Sequence, residues 1–464
     1  MSTSATVPIA PGSQIRKVAL ASLIGTTIEW YDFYIYGTAA ALVFPAQFFP
    51  GFSPAAGVLA SLATFAVGFA SRPLGGFFFG HFGDRIGRKK MLVVTLLTMG
   101  IGTFLVGLMP NYAQAGLFAP LGLVILRFVQ GFAVGGEWGG AVTMAVEHAP
   151  AAKRGFYGSW PQIGSPLGLV LATAIFDVVV NVPHDALQAW GWRIPFLLSA
   201  VLIVAGLIIR LRLFESPAFA RVKAAKQQVK LPAAQVLRRH PGAILIAIGS
   251  FLAIEVVFYL VTVLTLSWGT KHADISRGTF LTGVLIAGCC MCVMMPIFGA
   301  LSDRIGRRTV YAGGAIFVAL AAFPLYAALL SGSTTLIWLG IVVTLAIGHT
   351  SMYGPQASLY SEMFPAEIRY SGASIGYQLG GLIGGGLVPL AAVPLLAHFD
   401  YSAWTLATIL AASAVITLLS VLAAPAVNKR YIDPDTPTEA AAAEQNTTVR
   451  TPIPSRRGAE PSQP

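Results

Sequence analysis

The stretch Gly80-His-Phe-Gly-Asp-Arg-Ile-Gly-Arg88 returns later in the chain as Gly299-Ala-Leu-Ser-Asp-Arg-Ile-Gly-Arg307. Each copy connects two long apolar segments. Two shorter pairs recur at nearly the same offset: Glu147-His-Ala-Pro150 with Glu362-Met-Phe-Pro365, and Gln162-Ile-Gly164 with Gln378-Leu-Gly380. Three ordered matches, all separated by about 215 to 220 residues, predict two related halves.

The composition indicates a membrane protein. Of the 464 residues, 55% are hydrophobic and only 11% are charged, whereas soluble domains carry roughly 25% charged residues. Stretches long enough to cross ~30 Å of hydrocarbon recur along the chain. They run approximately over 18–46, 55–80, 91–109, 117–146, 156–181, 192–211, 242–268, 278–301, 310–330, 335–362, 373–397 and 403–424. We therefore expect an all-α integral membrane protein with twelve transmembrane helices in two pseudo-symmetric six-helix bundles.

The positions of the cations predict the topology. With a cytoplasmic amino terminus, only Arg193, Lys271 and Arg277 fall on the outer side, which fits the positive-inside rule. No removable signal peptide is evident, so the first helix is expected to remain. The expected organisation is a cytoplasmic segment 1–17, a bundle 18–211, a cytoplasmic loop 212–241, a bundle 242–424 and a disordered cytoplasmic tail 425–464.

Other function classes lack their signatures. The net charge of +11 comes from short runs between apolar segments, which argues against nucleic-acid binding. Cys289, Cys290 and Cys292 lie in one apolar segment with no zinc-ligand or disulfide spacing. The sequence contains no phosphate-binding loop, zinc-protease motif or nucleophile elbow. We expect no enzyme activity, no cofactor and no metal.

Several motifs resemble the metabolite:proton symporters of the major facilitator superfamily. They are Glu29-Trp-Tyr-Asp-Phe33, Arg72-Pro-Leu-Gly75, both Asp-Arg-Ile-Gly-Arg loops, the block from Arg127 to Trp138 and Trp190-Gly-Trp-Arg-Ile-Pro-Phe196. Within that family, Ala41-Leu-Val-Phe44, the block from Arg127 to Gly140 and Leu237-Arg-Arg-His-Pro-Gly242 are most similar to bacterial shikimate-type transporters.

The resemblance implies uptake of a small organic acid, such as shikimate or another carboxylate, together with protons. It also implies alternating access, a multi-pass location in a bacterial inner membrane and a monomer whose partners are substrate, protons and lipid. Two alternatives stay open. One is an osmolyte symporter for proline or betaine, although the tail lacks the coiled coil typical of that group. The other is a proton-independent facilitator or exporter.

Ionisable residues within membrane helices are candidates for proton coupling because burying them costs about 2.5 to 3.5 kcal/mol or more. Glu29, Asp32 and Tyr36 share one face of the first helix, and Arg127 is expected at a similar depth on the fourth. We expect Asp32 to carry the proton and Arg127 to tune it. A static Asp32–Arg127 ion pair, or Glu29 as the titrating group, are the alternatives.

Arg72 and Arg127 together suggest an anionic substrate because guanidinium groups bind carboxylates through two parallel hydrogen bonds. A fixed pairing of Arg72 with Glu137 or with helix carbonyls is the alternative. For His349 the alternative is a neutral histidine hydrogen-bonded in the core. Broken-helix geometry near Pro355 would free backbone groups for a ligand, and the alternative there is an ordinary proline kink. The remaining candidates for substrate binding are Tyr36, Gln162, Glu255, Tyr259, His349, Tyr353, Gln356 and Gln378.

The charged loops suggest a gate. Oppositely charged residues at the helix ends of each half are expected to form networks that close the cytoplasmic side in one state only. The candidates are Asp84, Arg85, Arg88, Glu147, Arg154, Asp303, Arg304, Arg307, Glu362 and Arg369.

Overall fold

A computed structural model describes residues 12–180, 183–225 and 229–424. Twelve helices of membrane-spanning length follow one another along the chain, as the sequence predicts. They are α1 Gly12–Leu42, α2 Pro54–Ile86, α3 Arg88–Leu108, α4 Phe118–His148, α5 Trp160–Val180, α6 Ile194–Leu211, α7 Pro241–His272, α8 Arg277–Ile305, α9 Arg307–Leu330, α10 Thr334–Met363, α11 Arg369–His398 and α12 Ala403–Ala423. Ten of these helices, all but α1 and α5, meet the length and hydropathy requirements for crossing a bilayer.

The repeated loops have the same backbone geometry. Gly87 ends α2 with φ of 119°, and Gly306 ends α8 with φ of 98°. Residues with a Cβ rarely adopt such angles. The glycine of each Asp-Arg-Ile-Gly-Arg motif therefore allows the chain to leave one helix and enter the next at once. The aspartate and arginine on either side of it are thereby held at the end of the bundle.

Helices α1–α6 form one bundle and α7–α12 the other. Glycines allow close helix packing within the first: a Cβ on Gly131 would overlap the carbonyl of Gly68, and one on Gly135 would overlap the carbonyl of Arg72. Small residues at such crossings allow helices to approach through van der Waals contact. Helices α2 and α4, which carry the two arginines Arg72 and Arg127, are thus fixed against each other.

The bundles contact each other at the face where α2 and α8 end, which we call the motif face. The connection between α6 and α7 lies there and contains two short helices, Pro217–Ala224 and Pro232–Arg239. Glu215 in this connection accepts hydrogen bonds from the backbone amides of Arg88 and Lys89. The predicted tail 425–464 and residues 1–11 lie outside the described residues.

Three helices of the second bundle contain a π-helical turn. These turns span Leu260–Leu264 in α7, Thr344–His349 in α10 and Leu382–Leu387 in α11. Helix α10 continues through Pro355, near which the sequence analysis considered a broken helix. The irregular turn of α10 lies before that proline. Single π turns are frequent at functional sites because they alter the backbone pairing locally.

Candidate functional site

A small cavity lies within the first bundle, about midway along α1 and α4. Its charged and amide side chains are those of Glu29, Asp32, Arg72, Arg127 and Gln130. Glu29 and Asp32 are three residues apart on α1, as are Arg127 and Gln130 on α4, so each pair shares one helix face. Asp32 and Arg127, which the sequence analysis places at a similar depth, both line this cavity.

Asp32 is held by a chain of neutral hydrogen-bond donors. The Thr103 hydroxyl lies 2.7 Å from Oδ2 of Asp32, and the Gln130 amide donates to the same hydroxyl at 2.8 Å. The other carboxyl oxygen, Oδ1, is buried and has no hydrogen-bond partner among the described residues. Asp32 is only 2% exposed. Its carboxyl group is therefore enclosed without a neutralising cation in contact.

Arg127 lies against aromatic rings. Its guanidinium carbon is 4.3 Å from the ring centroid of Tyr36, 4.8 Å from that of Phe65 and 5.4 Å from that of Phe33. No Asp32–Arg127 ion pair within 4 Å occurs in the part of the chain that the structure describes. This conformation therefore does not contain the static Asp32–Arg127 ion pair that was the alternative hypothesis.

Arg72 has a similar environment. Its guanidinium carbon is 4.6 Å from the ring centroid of Phe69 and 4.9 Å from that of Phe33. We find no ion pair or hydrogen bond of this guanidinium with any described residue. Cation–π contacts of this kind contribute about 0.5–2 kcal/mol. They leave the hydrogen-bond donors of Arg72 available.

Glu137, the alternative partner considered for Arg72, pairs with a different arginine. Its carboxylate forms a buried ion pair with Arg210 of α6 and accepts a 2.7 Å hydrogen bond from Thr95 of α3. The alternative of a fixed Arg72–Glu137 pair is therefore not present in this conformation. Arg210 stands in the last turn of α6, where the sequence suggested only a topology signal, and its side chain enters the bundle and reaches α4.

Aromatic side chains of the second bundle face those of the first. The ring centroids of Phe69 and Tyr259 are 5.9 Å apart, and those of Trp30 and Phe258 are 6.4 Å apart. His349 lies 5.8 Å from Phe258, centroid to centroid. We call these facing rings the aromatic wall, and three predicted substrate residues, Glu255, Tyr259 and His349, lie at it. The Tyr259 hydroxyl and Nδ1 of His349 have no hydrogen bond to the described residues. The Glu255 carboxylate forms no ion pair with them.

Four predicted substrate residues, Gln162, Tyr353, Gln356 and Gln378, instead connect the bundles in this conformation. Gln162 donates to the Tyr353 carbonyl and to the side chain of Gln356, both at 3.2 Å. Trp138 donates to the oxygen of Gln162 at 2.7 Å. Gln378 donates to the Gly135 carbonyl at 3.1 Å. These amides close the cavity toward the motif face.

The motif face contains a reciprocal pair of helix caps. Asp84 at the end of α2 accepts hydrogen bonds from the backbone amides of Tyr370 and Ser371 in the first turn of α11, at 3.2 and 2.8 Å. Asp303 at the end of α8 accepts from Gly155 and Phe156 at 2.8 and 2.9 Å, in the short helix Arg154–Gly158 before α5. Neither helix has a hydrogen bond from its own N-cap side chain. Each bundle thus caps a helix of the other.

Ion pairs surround these caps. Glu147 pairs with Arg88 in its own bundle and with Arg369 of the other bundle, the latter at 2.6 Å. Arg307 pairs with Asp303 at 2.8 Å and Glu362 at 3.2 Å. The remaining predicted gate residues differ in position: Arg154 lines a cleft with Glu147 and Glu362, Arg85 is exposed, and Arg304 is exposed with no hydrogen bond or ion pair to the described residues.

Sequence reasoning missed several residues of this site. Thr103 on α3 has no neighbouring motif, and its role is visible only once α3 lies beside α1. Tyr377 stacks on Trp138 with centroids 3.8 Å apart, and Phe251 stacks on Tyr377 at 4.2 Å. Because aromatic residues are common in membrane helices, only their contacts distinguish these rings from ordinary packing.

Comparison with known proteins gives a consistent result. The sequence profile described as "Major Facilitator Superfamily" matches residues 22–389. The chain is 42% identical over 413 residues to the shikimate transporter of Escherichia coli (strain K12), covering 88% of this chain and 94% of that protein. It is also 35% identical over 398 residues to the proline/betaine transporter of the same strain, covering 83% and 79%. The structure of the proton:xylose symporter XylE bound to 6-bromo-6-deoxy-D-glucose has a similar fold, with a TM-score of 0.69 at 20% identity, covering 88% of this chain and 95% of that one.

Proposed function

This chain belongs to the major facilitator superfamily of transporters, and we propose that it takes up a small organic acid of the shikimate type together with a proton. It is a multi-pass membrane protein of the transporter class, not an enzyme. The observation that carries the proposal is the pair Arg72 and Arg127, whose guanidinium groups face aromatic rings with no carboxylate in contact, beside the buried Asp32.

The substrate carboxylate is assigned to Arg72. This guanidinium lies on the ring of Phe69, and Phe69 contacts Tyr259 of the second bundle. A ligand between the bundles can therefore contact both Arg72 and Tyr259. A planar guanidinium binds a carboxylate through two parallel hydrogen bonds. Glu255, Tyr259 and His349 are left to bind the hydroxyl groups of such an acid. The likeness to the shikimate transporter supports this substrate class.

The proton is assigned to Asp32. A buried carboxylate without a cation in contact is unfavourable in a membrane protein, which favours its neutral form in this conformation. Movement of Arg127 toward Asp32 would favour the ionised form, because attraction between opposite charges is strong in an apolar environment. Glu29 lines the same cavity and remains the alternative carrier.

Switching is assigned to the motif face, which we propose to be cytoplasmic. With this orientation, the capped helices and ion pairs close the inside, and the conformation is the one that receives substrate from outside. Both termini are then cytoplasmic, as the loop charges predict. We propose a bacterial inner membrane as the location and a monomer as the working unit.

An osmolyte symporter is the second candidate. The likeness to proline/betaine transporters favours it, and so does the aromatic wall, because aromatic rings bind quaternary ammonium groups. In that case Glu255 would face the ammonium group of a zwitterion and Arg72 its carboxylate. Organic acids without an ammonium group would then fail to compete.

Uptake into proteoliposomes distinguishes these possibilities. The purified chain is reconstituted, and labelled shikimate, a dicarboxylate, an aromatic acid, proline and betaine are each offered with and without an inward proton gradient. Accumulation of shikimate or another simple acid only with the gradient is the expected result. Accumulation of betaine and proline alone would establish the osmolyte function, and equilibration unaffected by the gradient would overturn the coupling to protons.

A further inference from the structure

The aromatic rings around Arg127 have no role in the sequence-based hypothesis, which gives Arg127 only Asp32 and the substrate as partners. Three rings from two helices surround the guanidinium: Phe33 and Tyr36 of α1, and Phe65 of α2. Arg127 is 5% exposed. The rings also hold one another, since Phe33 and Phe65 have centroids 4.6 Å apart and Tyr36 lies stacked at 6.1 Å from Phe65.

The backbone of α2 is shaped for this position of the arginine. A Cβ on Gly68 would lie 2.7 Å from Nε of Arg127 and 3.2 Å from its Cδ. Any side chain at position 68 would therefore displace the guanidinium. Tyr36 is itself fixed, because its hydroxyl forms a 2.7 Å hydrogen bond with Thr64. The rings and the missing side chain together form a seat for a guanidinium.

We propose that Phe33, Tyr36 and Phe65 form a cation–π seat that holds Arg127 away from Asp32 while Asp32 carries its proton. The inference rests on the proposed function, in which Asp32 is the proton carrier. Without such a seat, an unpaired guanidinium within the membrane would be drawn to the nearest carboxylate. The seat gives Arg127 a second stable position. Arg127 thereby alternates between two partners, and the rings are positioning residues that set the balance.

Asp32 has a matching arrangement on its other side. The Thr103 hydroxyl is a neutral hydrogen-bond donor to the carboxyl group while the arginine is absent, and the Gln130 amide donates to that hydroxyl in turn. The titratable and charged groups around Asp32 are Glu29 and Tyr31 from α1, Arg72 from α2 and Arg127 from α4, while α3 contributes the uncharged Thr103. Phe65 does not titrate, so replacing it changes none of these groups directly.

The test is the pH dependence of gradient-driven uptake by the reconstituted chain. In Phe65→Leu, the seat is weakened and Arg127 pairs more often with ionised Asp32. Protonation then requires about a three- to tenfold higher proton concentration, as expected for the loss of one cation–π contact. The pH of half-maximal uptake shifts to more acidic values. Phe65→Tyr keeps an aromatic ring, so its pH of half-maximal uptake is expected to stay at the wild-type value.

A second pair of variants guards against a folding defect. Tyr36→Leu should shift the midpoint in the same direction, whereas Tyr36→Phe keeps the ring and should shift it less. Thermal stability and substrate exchange without a gradient are measured for each protein. Unchanged midpoints in both leucine variants would overturn the seat. Wild-type protein that shows no proton-driven accumulation would instead overturn the coupling on which the seat depends, so the two failures are distinct.

Discussion

Asp84 in the first bundle accepts a 2.8 Å hydrogen bond from the backbone amide of Ser371 in the second. The amide lies in the first turn of α11, whose N-terminus carries partial positive charge. Asp84 is 2% exposed, so the contact exists only while the two bundles are together at the motif face. Opening this face must break it.

Replacing Asp84 by asparagine should slow transport with little effect on affinity. Loss of the charge weakens the cap by about 1.5 kcal/mol, the lower end of the range for a hydrogen bond to a charged group, and shifts the closed–open balance about tenfold. Equilibrium substrate binding should stay within a few fold. A cysteine at Ser361, which lines the cleft at this face, should react faster with a thiol reagent in Asp84→Asn protein.

The matched variant is Asp303→Asn, because Asp303 makes the equivalent contact with Gly155 and Phe156. It should have the same phenotype. Arg304→Gln serves as the control, since Arg304 is exposed and has no hydrogen bond or ion pair to the described residues. Complete loss of binding in well-folded Asp84→Asn protein would contradict a gating role.

Asp32→Asn should separate exchange from accumulation. The amide resembles the permanently protonated acid, so the variant is expected to bind substrate and exchange it between equal pools. Accumulation driven by a pH gradient should disappear because the proton is never released. Both activities are measured in proteoliposomes. If Asp32→Asn retains gradient-driven accumulation and Glu29→Gln abolishes it, the carrier is Glu29.

Arg72→Ala should weaken substrate binding. Removing one member of a desolvated charge pair costs about 2 to 5 kcal/mol, which predicts an increase in Kd of about 30-fold or more. Arg72→Lys keeps the charge without the fork geometry, so an intermediate Kd is expected. Binding is followed by calorimetry on purified protein. An unchanged Kd in Arg72→Ala would move the carboxylate site elsewhere in the cavity.

The Glu137–Arg210 pair should matter for stability more than for transport. Glu137→Gln leaves Arg210 buried without its partner, which is expected to cost about 3 to 5 kcal/mol. Replacing both residues by apolar side chains should recover most of this loss, since no unpaired charge remains. Thermal unfolding in detergent measures both effects. A double variant as unstable as the single one would indicate that the pair has a further role.

Cysteine labelling in intact cells tests the topology. In a background without Cys289, Cys290 and Cys292, a cysteine at the exposed Lys223 should be protected from an impermeant thiol reagent. A cysteine at the exposed Asp400, in the loop between α11 and α12 at the opposite face, should react. The reverse pattern would place the motif face outside and invert the proposed orientation.

The sequence predicts the fold because bilayer-length apolar segments and the offset repeats leave few alternatives. It also predicts that Asp32 and Arg127 lie at a similar depth on α1 and α4, since charges inside membrane helices are rare and helical spacing gives their faces. The gate could be predicted as a group of charges. Pairing of these charges with helix ends could also be predicted, but not which helix end each aspartate caps. Asp84 binds the backbone amides of Tyr370 and Ser371 in the other half, which no side-chain pattern indicates.

Other features depend on which helices are neighbours. Phe65 is one of many phenylalanines, and only the crossing of α2 and α4 places its ring beside Arg127. Thr103 contacts Asp32 because α3 packs beside α1. Arg210 has the position of a topology-determining cation, and its side chain points into the bundle because Glu137 lies there. In each case the decisive interaction joins residues whose neighbourhood one sequence does not specify.

The reciprocal caps also describe the relationship between the two halves. Asp84 and Asp303 are equivalent positions of the repeat, and so are the amides that they bind, at Tyr370–Ser371 and Gly155–Phe156. In an isologous dimer, residue i of one subunit contacts residue j of the other, and j contacts i. The two bundles therefore meet through the interface that a twofold homodimer of six-helix subunits would form. Two copies of one such six-helix subunit, each with one aspartate and one uncapped helix, would form both contacts.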